Sequence, residues 1–175
     1  LEIRVSDNGS GMDEATLREA LSFGGSSRFN DRASLGRYGM GLPNGGLSRA
    51  RCIEVYSWQG QRSWLATLDL DHHVESGQAR LDPVVSASPP SFAPRHRTGT
   101  VVILKRCDRV EYQRASTVAL HLCRDLGRIY RWLLTDEGVR IRVNGECVAA
   151  DDPLLLMPDS IVRGCRSFGS VLRYR

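Results

Sequence analysis

The sequence predicts an α+β fold: a two-layer sandwich with a mixed, mostly antiparallel sheet and helices on one face. Three observations predict it. Residues 2–6 (EIRVS) alternate as a strand does, two hairpin patterns stand at 52–70 and 139–149, and helical spacing of apolar residues separates the strand patterns. A hydrophobic fraction of 41% and a charged fraction of 25% exclude a disordered chain.

The elements follow in order. After the first strand comes a glycine turn and then a helix, with Asp13 as N-cap, Met12 placed to staple onto Leu17, and Leu17 and Leu21 on one face. Residues 22–46 are glycine-rich and aperiodic and read as a long loop, with a short helix over about 43–50. CIEVYSW, a turn at Gly60 and SWLATLDL form a hairpin. Residues 82–98, with Pro83, Pro89, Pro90 and Pro94, read as a connection outside the core. GTVVILKR (99–106) is a buried strand. Val118, Leu122, Leu126, Ile129 and Leu133 predict one helix over 116–134. VRIRV, Asn144-Gly145 and ECVA predict a second hairpin.

Charge and cysteines constrain the partners. A net charge of +4 is too small a bias to imply nucleic acid by itself. Five scattered cysteines without a C-x-x-C pair favour neither a zinc site nor a disulfide framework, so a reducing, cytoplasmic setting is expected. No run reaches the ~18 apolar residues of a membrane helix, so no membrane partner is expected. LEIRVSDNG has no basic head before an apolar run and opens directly on strand-like residues. It reads as the start of a piece cut from a longer protein.

Three glycine-bearing segments carry the chemistry. Asp7-Asn8-Gly9-Ser10-Gly11-Met12 joins a strand to a capped helix. Glycine there permits a tight turn and close approach of a flat ligand, and the aspartate can accept from an exocyclic amine. Gly36-Arg37-Tyr38-Gly39-Met40-Gly41 precedes a helix, where successive backbone N–H groups can cradle an anion. Thr98-Gly99-Thr100 enters a buried strand, with a hydroxyl able to support the aspartate. Either glycine cluster alone is more often a bare turn or a mobile loop without a ligand. The second is neither a dinucleotide fingerprint nor a P-loop, because no strand directly precedes it and no Gly-Lys-Ser/Thr follows.

In this order, DNGSGM, GRYGMG and TGTVV resemble the GHKL (Bergerat-fold) ATPase superfamily over about residues 1–106. LSFGGSSR (21–28) and LGRYGMGLPNGGLSRA (35–50) are most similar to the microrchidia (MORC) branch and its bacterial relatives, and LGRIYRWLL with IRVNG resembles the passage into a transducer-like domain. The resemblance implies an ATP-binding domain over 1–112 and the start of a transducer-like extension over 113–175. It implies that Asp7 reads adenine, Gly9 and Gly11 shape the purine pocket, and Met12 walls the base. Gly36, Gly39 and Gly41 would be lid glycines, with the N–H groups of Tyr38, Gly39, Met40, Gly41 and Leu42 facing the phosphates. Thr100 would brace the aspartate–adenine contact. Arg37 is open to a phosphate contact or to solvent, and Gly24, Gly25 and Ser26 to the ribose side.

The resemblance further implies Mg²⁺ and a catalytic glutamate, both served by a helix ahead of the first motif. Only six residues precede Asp7 here, so the general base and metal ligand are expected upstream of Leu1, and residues 1–175 alone are expected to hydrolyse ATP poorly or not at all. The implied activity is Mg²⁺-dependent hydrolysis in the intact parent, driving lid closure and head dimerisation on DNA or a protein client. The alternatives are a non-hydrolysing nucleotide-sensing or scaffolding module and, less in keeping with the motif positions, a sensor-kinase phosphotransferase.

Other residues read more plainly. Asp69, Asp71, His72 and His73 predict a polar turn rather than a metal site, since adjacent strand residues face opposite ways. Lys105, the only lysine, reads as a rim charge; Trp58, Trp64 and Trp132 as core or edge packing; Cys52, Cys107, Cys123 and Cys147 as small buried hydrophobes. Arg124, Arg128 and Arg131 read as a solvated helix face.

Overall fold

The computed structural model describes residues 1–25, 38–77, 80–112, 114–136 and 138–154. Residues 26–37 of the glycine-rich 22–46 segment, Ser26, Gly36 and Arg37 among them, and the tail from 155 lie outside the described residues. The chain divides into two compact units, Leu1–Glu111 and Tyr112–Arg175.

The first unit is a five-stranded sheet in the order β1-β5-β2-β3-β4, built from β1 (Ile3–Asp7), β2 (Cys52–Gln59), β3 (Arg62–Asp69), β4 (Val85–Ser86) and β5 (Thr98–Lys105). Every pairing is antiparallel. Helices α1 (Glu14–Leu21) and α2 (Gly41–Leu47) pack on one face. Leu17, Leu21, Ile53, Val55, Ala66 and Leu68 form the core between the layers, with Met12, Leu42 and Leu47 packed against it. Burying Leu17 and Leu21 contributes about 1.5–3 kcal/mol each. Asp13 caps α1 by accepting from the Thr16 amide at 2.8 Å. Helix α2 begins earlier than the sequence suggests because Pro43 fits a first helical turn, where its missing N–H costs nothing.

The structure corrects further expectations in both units. Residues 70–76 form a helix, α3 (Leu70–Ser76), not a turn, because the Asp69 side chain accepts from the amides of Asp71 (3.0 Å) and His72 (3.4 Å) and starts it. The proline-rich connection is more than a link: β4 pairs with β3, and Ala93 packs on Trp58, Val101 and Ile103 on the face away from the helices. The Trp58 indole donates to the His96 carbonyl at 2.9 Å, holding that segment against the sheet. Cys52 is buried, and burial pushes its thiol up to about 11, but Cys147 is exposed. Lys105 is paired, donating to Glu54 at 2.5 Å.

The second unit holds α4 (Ala115–Ile129), α5 (Arg131–Thr135) and a hairpin of β6 (Arg142–Val143) and β7 (Glu146–Cys147). The single helix expected over 116–134 divides at Tyr130, whose backbone leaves the helical region at φ −100°, ψ 18°. Asn144 and Gly145 take positive φ, as a two-residue hairpin turn requires. Gly127 lets the chain pass close: an added Cβ would strike the Ala149 carbonyl, and the Asp151 amide donates to the Gly127 carbonyl at 3.1 Å. Trp132 is exposed, not packed.

Candidate functional site

Antiparallel pairing sets the site's frame. Asp7 stands opposite Thr100, and Thr100 stands opposite Ser57, so the three share a face in one row across β1, β5 and β2. Ser57 lies two residues beyond Val55 on β2, on the helix-covered face. Thr100 is 8% exposed and Ser57 is fully buried, whereas Asp7 at the strand end is open to solvent.

The turn after Asp7 is pinned onto this row. The Gly9 amide donates to Asp7 Oδ1 at 2.8 Å, which orients the carboxylate and leaves its second oxygen for another donor. Gly11 sits at φ +68°, and a Cβ there would collide with the Trp58 carbonyl, so the turn passes against β2 only as glycine. The Met12 amide donates to Ser57 Oγ at 2.7 Å. The Gln59 side-chain amide reaches the carbonyls of Ser10 and Gly11 at 3.3 Å each. Ser57 Oγ lies 3.2 Å from Thr100 Oγ1 and 3.2 Å from the Gly99 carbonyl. A Cβ on Gly99 would come within 2.5 Å of the Asp7 carbonyl and 2.6 Å of the Trp58 ring, so that glycine is required by two neighbours at once.

The second glycine segment is described from Tyr38 onward. Gly39 takes φ +60° and fits against the Gly25 backbone, where a Cβ would clash; its carbonyl accepts from the Gly24 amide at 3.2 Å. This ties the end of α1 to the entry of α2, on the same sheet face as the row. Tyr38 is 59% exposed and Met40 41%. Met40 stands at the N-cap of α2 without a side-chain cap, and Gly41 has open space around it. Leu42 turns inward to the core.

Ion pairs occupy the carboxylates at the other end of the sheet. Burial alone would raise the Asp69 carboxyl, but hydrogen bonds from Arg106 (2.5 Å) and from the α3 amides outweigh it and hold it below its ordinary value. Arg51 holds Asp71 low in the same way. Among the described residues no three metal-ligating side chains converge. Near the turn, Asp13 caps α1, Glu14 pairs with Arg18, and Glu2 pairs with Arg4.

Sequence reasoning named Asp7, Gly9, Gly11, Met12, Gly36, Arg37, Tyr38, Gly39, Met40, Gly41, Leu42 and Thr100, of which Gly36 and Arg37 lie outside the described residues. The structure links Met12 and Thr100 through Ser57, sets Asp7 opposite Thr100 with the Gly9 amide on its carboxylate and Gly11 against Trp58, and puts Tyr38, Gly39, Met40, Gly41 and Leu42 at the entry of α2. Reasoning from sequence missed Ser57, Gln59 and the role of Trp58. The available signal was a serine at a position where the apolar alternation of Ile53 and Val55 calls for a third apolar residue.

No curated protein resembles the chain closely enough to count as a match. The family model for histidine kinase-, DNA gyrase B- and HSP90-like ATPases matches residues 1–94, which takes in both glycine segments and stops short of Thr100. No described helix is long and apolar enough to cross a membrane. With more than half of its length matched, the chain belongs to the histidine kinase-, DNA gyrase B- and HSP90-like ATPase family.

Proposed function

We propose that this chain binds ATP with the adenine amine on Asp7, the base beside Gly9, Gly11 and Met12, and the triphosphate on the amides from Tyr38 to Leu42. The observation that carries this reading is the transverse row of Asp7, Thr100 and Ser57 with the glycine turn fastened to it. A carboxylate with one oxygen oriented by Gly9 and the other open is an acceptor waiting for a donor. Gly36 and Arg37 belong to the proposed phosphate segment by sequence alone.

In a longer parent, the same reading gives Mg²⁺-dependent hydrolysis, ordering of residues 22–46 over the triphosphate, and pairing of two heads that act on DNA or a protein client. The 113–175 region would be the start of the transducer-like part, and the likeness of LSFGGSSR and LGRYGMGLPNGGLSRA supports the microrchidia branch. Magnesium would arrive on the triphosphate. The described residues supply it no identified ligand, and no step is assigned to it.

Calorimetric titration of the chain with ATP tests the binding. Asp7→Asn keeps an oxygen for the Gly9 amide but sets an NH₂ against the base amine. It is expected to weaken ATP by about 10–100-fold with an unchanged unfolding midpoint, since Asp7 is exposed. No binding by the unaltered chain, or equal binding by the variant, sinks the reading.

A second reading, a non-hydrolysing nucleotide sensor or scaffold, is favoured by the engagement of Glu2, Asp13 and Glu14 in a cap and ion pairs. Single-turnover phosphate release from the full-length protein separates the two readings, and the 175-residue chain by itself is expected to release little.

A further inference from the structure

We propose that Ser57 is a positioning residue for base recognition: its buried hydroxyl ties the Gly11–Met12 turn to Thr100 and sets whether Thr100 meets the base as donor or acceptor. This rests on the adenine reading above. Among the described residues only Ser57, Thr100 and Asp152 are buried polar or charged ones, and the first two touch each other. A hydroxyl beside Ile53 and Val55 on an otherwise apolar strand face costs free energy unless its hydrogen bonds are made.

The accounting at Ser57 is tight. A serine hydroxyl carries one proton and two lone pairs. The Met12 amide fills one lone pair. The proton then goes to Thr100 Oγ1 or to the Gly99 carbonyl, which lie at equal distance. Both acceptors belong to β5, so the tie between turn and strand holds either way. The two arrangements differ at Thr100. When Ser57 donates to Thr100, the Thr100 proton is free for the Asp7 side. When Ser57 donates to Gly99, Thr100 can give its own proton to Ser57 and shows only lone pairs outward.

An amino-purine presents a donor amine beside an acceptor ring nitrogen, matching Asp7 as acceptor and Thr100 as donor. An oxo-purine inverts both groups. With its proton given to Thr100, Ser57 leaves Thr100 in the polarity that complements an amino-purine, without touching the base itself.

The test titrates the 175-residue chain with ATP and with inosine triphosphate, which carries a carbonyl in place of the amine. The unaltered chain is expected to prefer ATP by about tenfold or more. Ser57→Ala is expected to shrink the preference to about threefold or less, and Ser57→Thr to restore it. Ser57→Cys, close in volume and weak as donor and acceptor, replaces the alanine variant if that one fails to fold. A preference that survives intact in the alanine or cysteine variant, with both nucleotides weakened equally, overturns the proposal and leaves the adenine reading standing. An unaltered chain that binds neither nucleotide, or both alike, overturns the adenine reading and this inference with it.

Discussion

The two glycine segments of the first unit are built differently. In the turn from Asp7 to Met12, packing explains Gly11, which lies against the Trp58 carbonyl at positive φ, and the Gly9 amide donates to the Asp7 carboxylate. In the segment from Tyr38 to Leu42, Gly39 is held by the Gly25 backbone, but among the described residues nothing lies within reach of a Cβ added at Gly41. The first segment is part of the sheet's frame, and glycine at position 11 is a condition of folding. At Gly41 the fold makes no such demand, so a substitution there reports on a ligand and not on packing.

The sharpest way to break this comparison is Gly11→Ala. Positive φ and a collision with backbone on β2 together predict a loss of about 2–4 kcal/mol in denaturant unfolding, with ATP binding lost as well. If Gly11→Ala unfolds at the unaltered midpoint, the frame is not what holds the turn. Gly41→Ala is the counterpart. It is expected to stabilise the chain by up to about 1 kcal/mol through helix propensity, so any fall in ATP affinity comes from the phosphate end. Equal destabilisation by the two substitutions would erase the distinction.

A smaller effect is expected with pH. Asp13, Asp69 and Asp71 all have carboxyls held below their ordinary value, Asp13 by the Thr16 hydrogen bonds, the other two chiefly by arginine. A carboxylate depressed in the folded state stabilises above its unfolded pKa. That contribution fades as pH falls through the ordinary value near 4 and is gone below the folded one. Unfolding midpoints are therefore expected to be flat from neutral pH to about 5 and to drop below about 4. Asp69→Asn should flatten part of that drop while leaving nucleotide binding at neutral pH unchanged, because Asp69 lies at the opposite end of β2 and β3 from the row. A drop that is identical in the variant would assign the acid sensitivity elsewhere.

Much of the fold was legible in the residues. Asp13 and Leu17 announce α1, Gly60 marks the turn of the β2–β3 hairpin, and Asn144-Gly145 marks the β6–β7 turn, because caps, periodicity and positive φ are local demands. The helix at 70–76 was less legible: its signal is one side chain, Asp69, which also serves an ion pair with Arg106. The division of the long helix at Tyr130 has no glycine or proline to betray it.

By itself, then, the sequence determined the α+β class, the main helices and hairpins, and the segments DNGSGM and GRYGMG, since each depends on neighbours within a few residues. Tertiary structure alone decided which face those segments share, that Ser57 joins Met12 to Thr100 across more than forty residues of chain, and that Gly99 must yield to Trp58. The reason is physical: strand register puts residues remote in sequence opposite one another, and a hydroxyl's value lies in partners that only that register supplies.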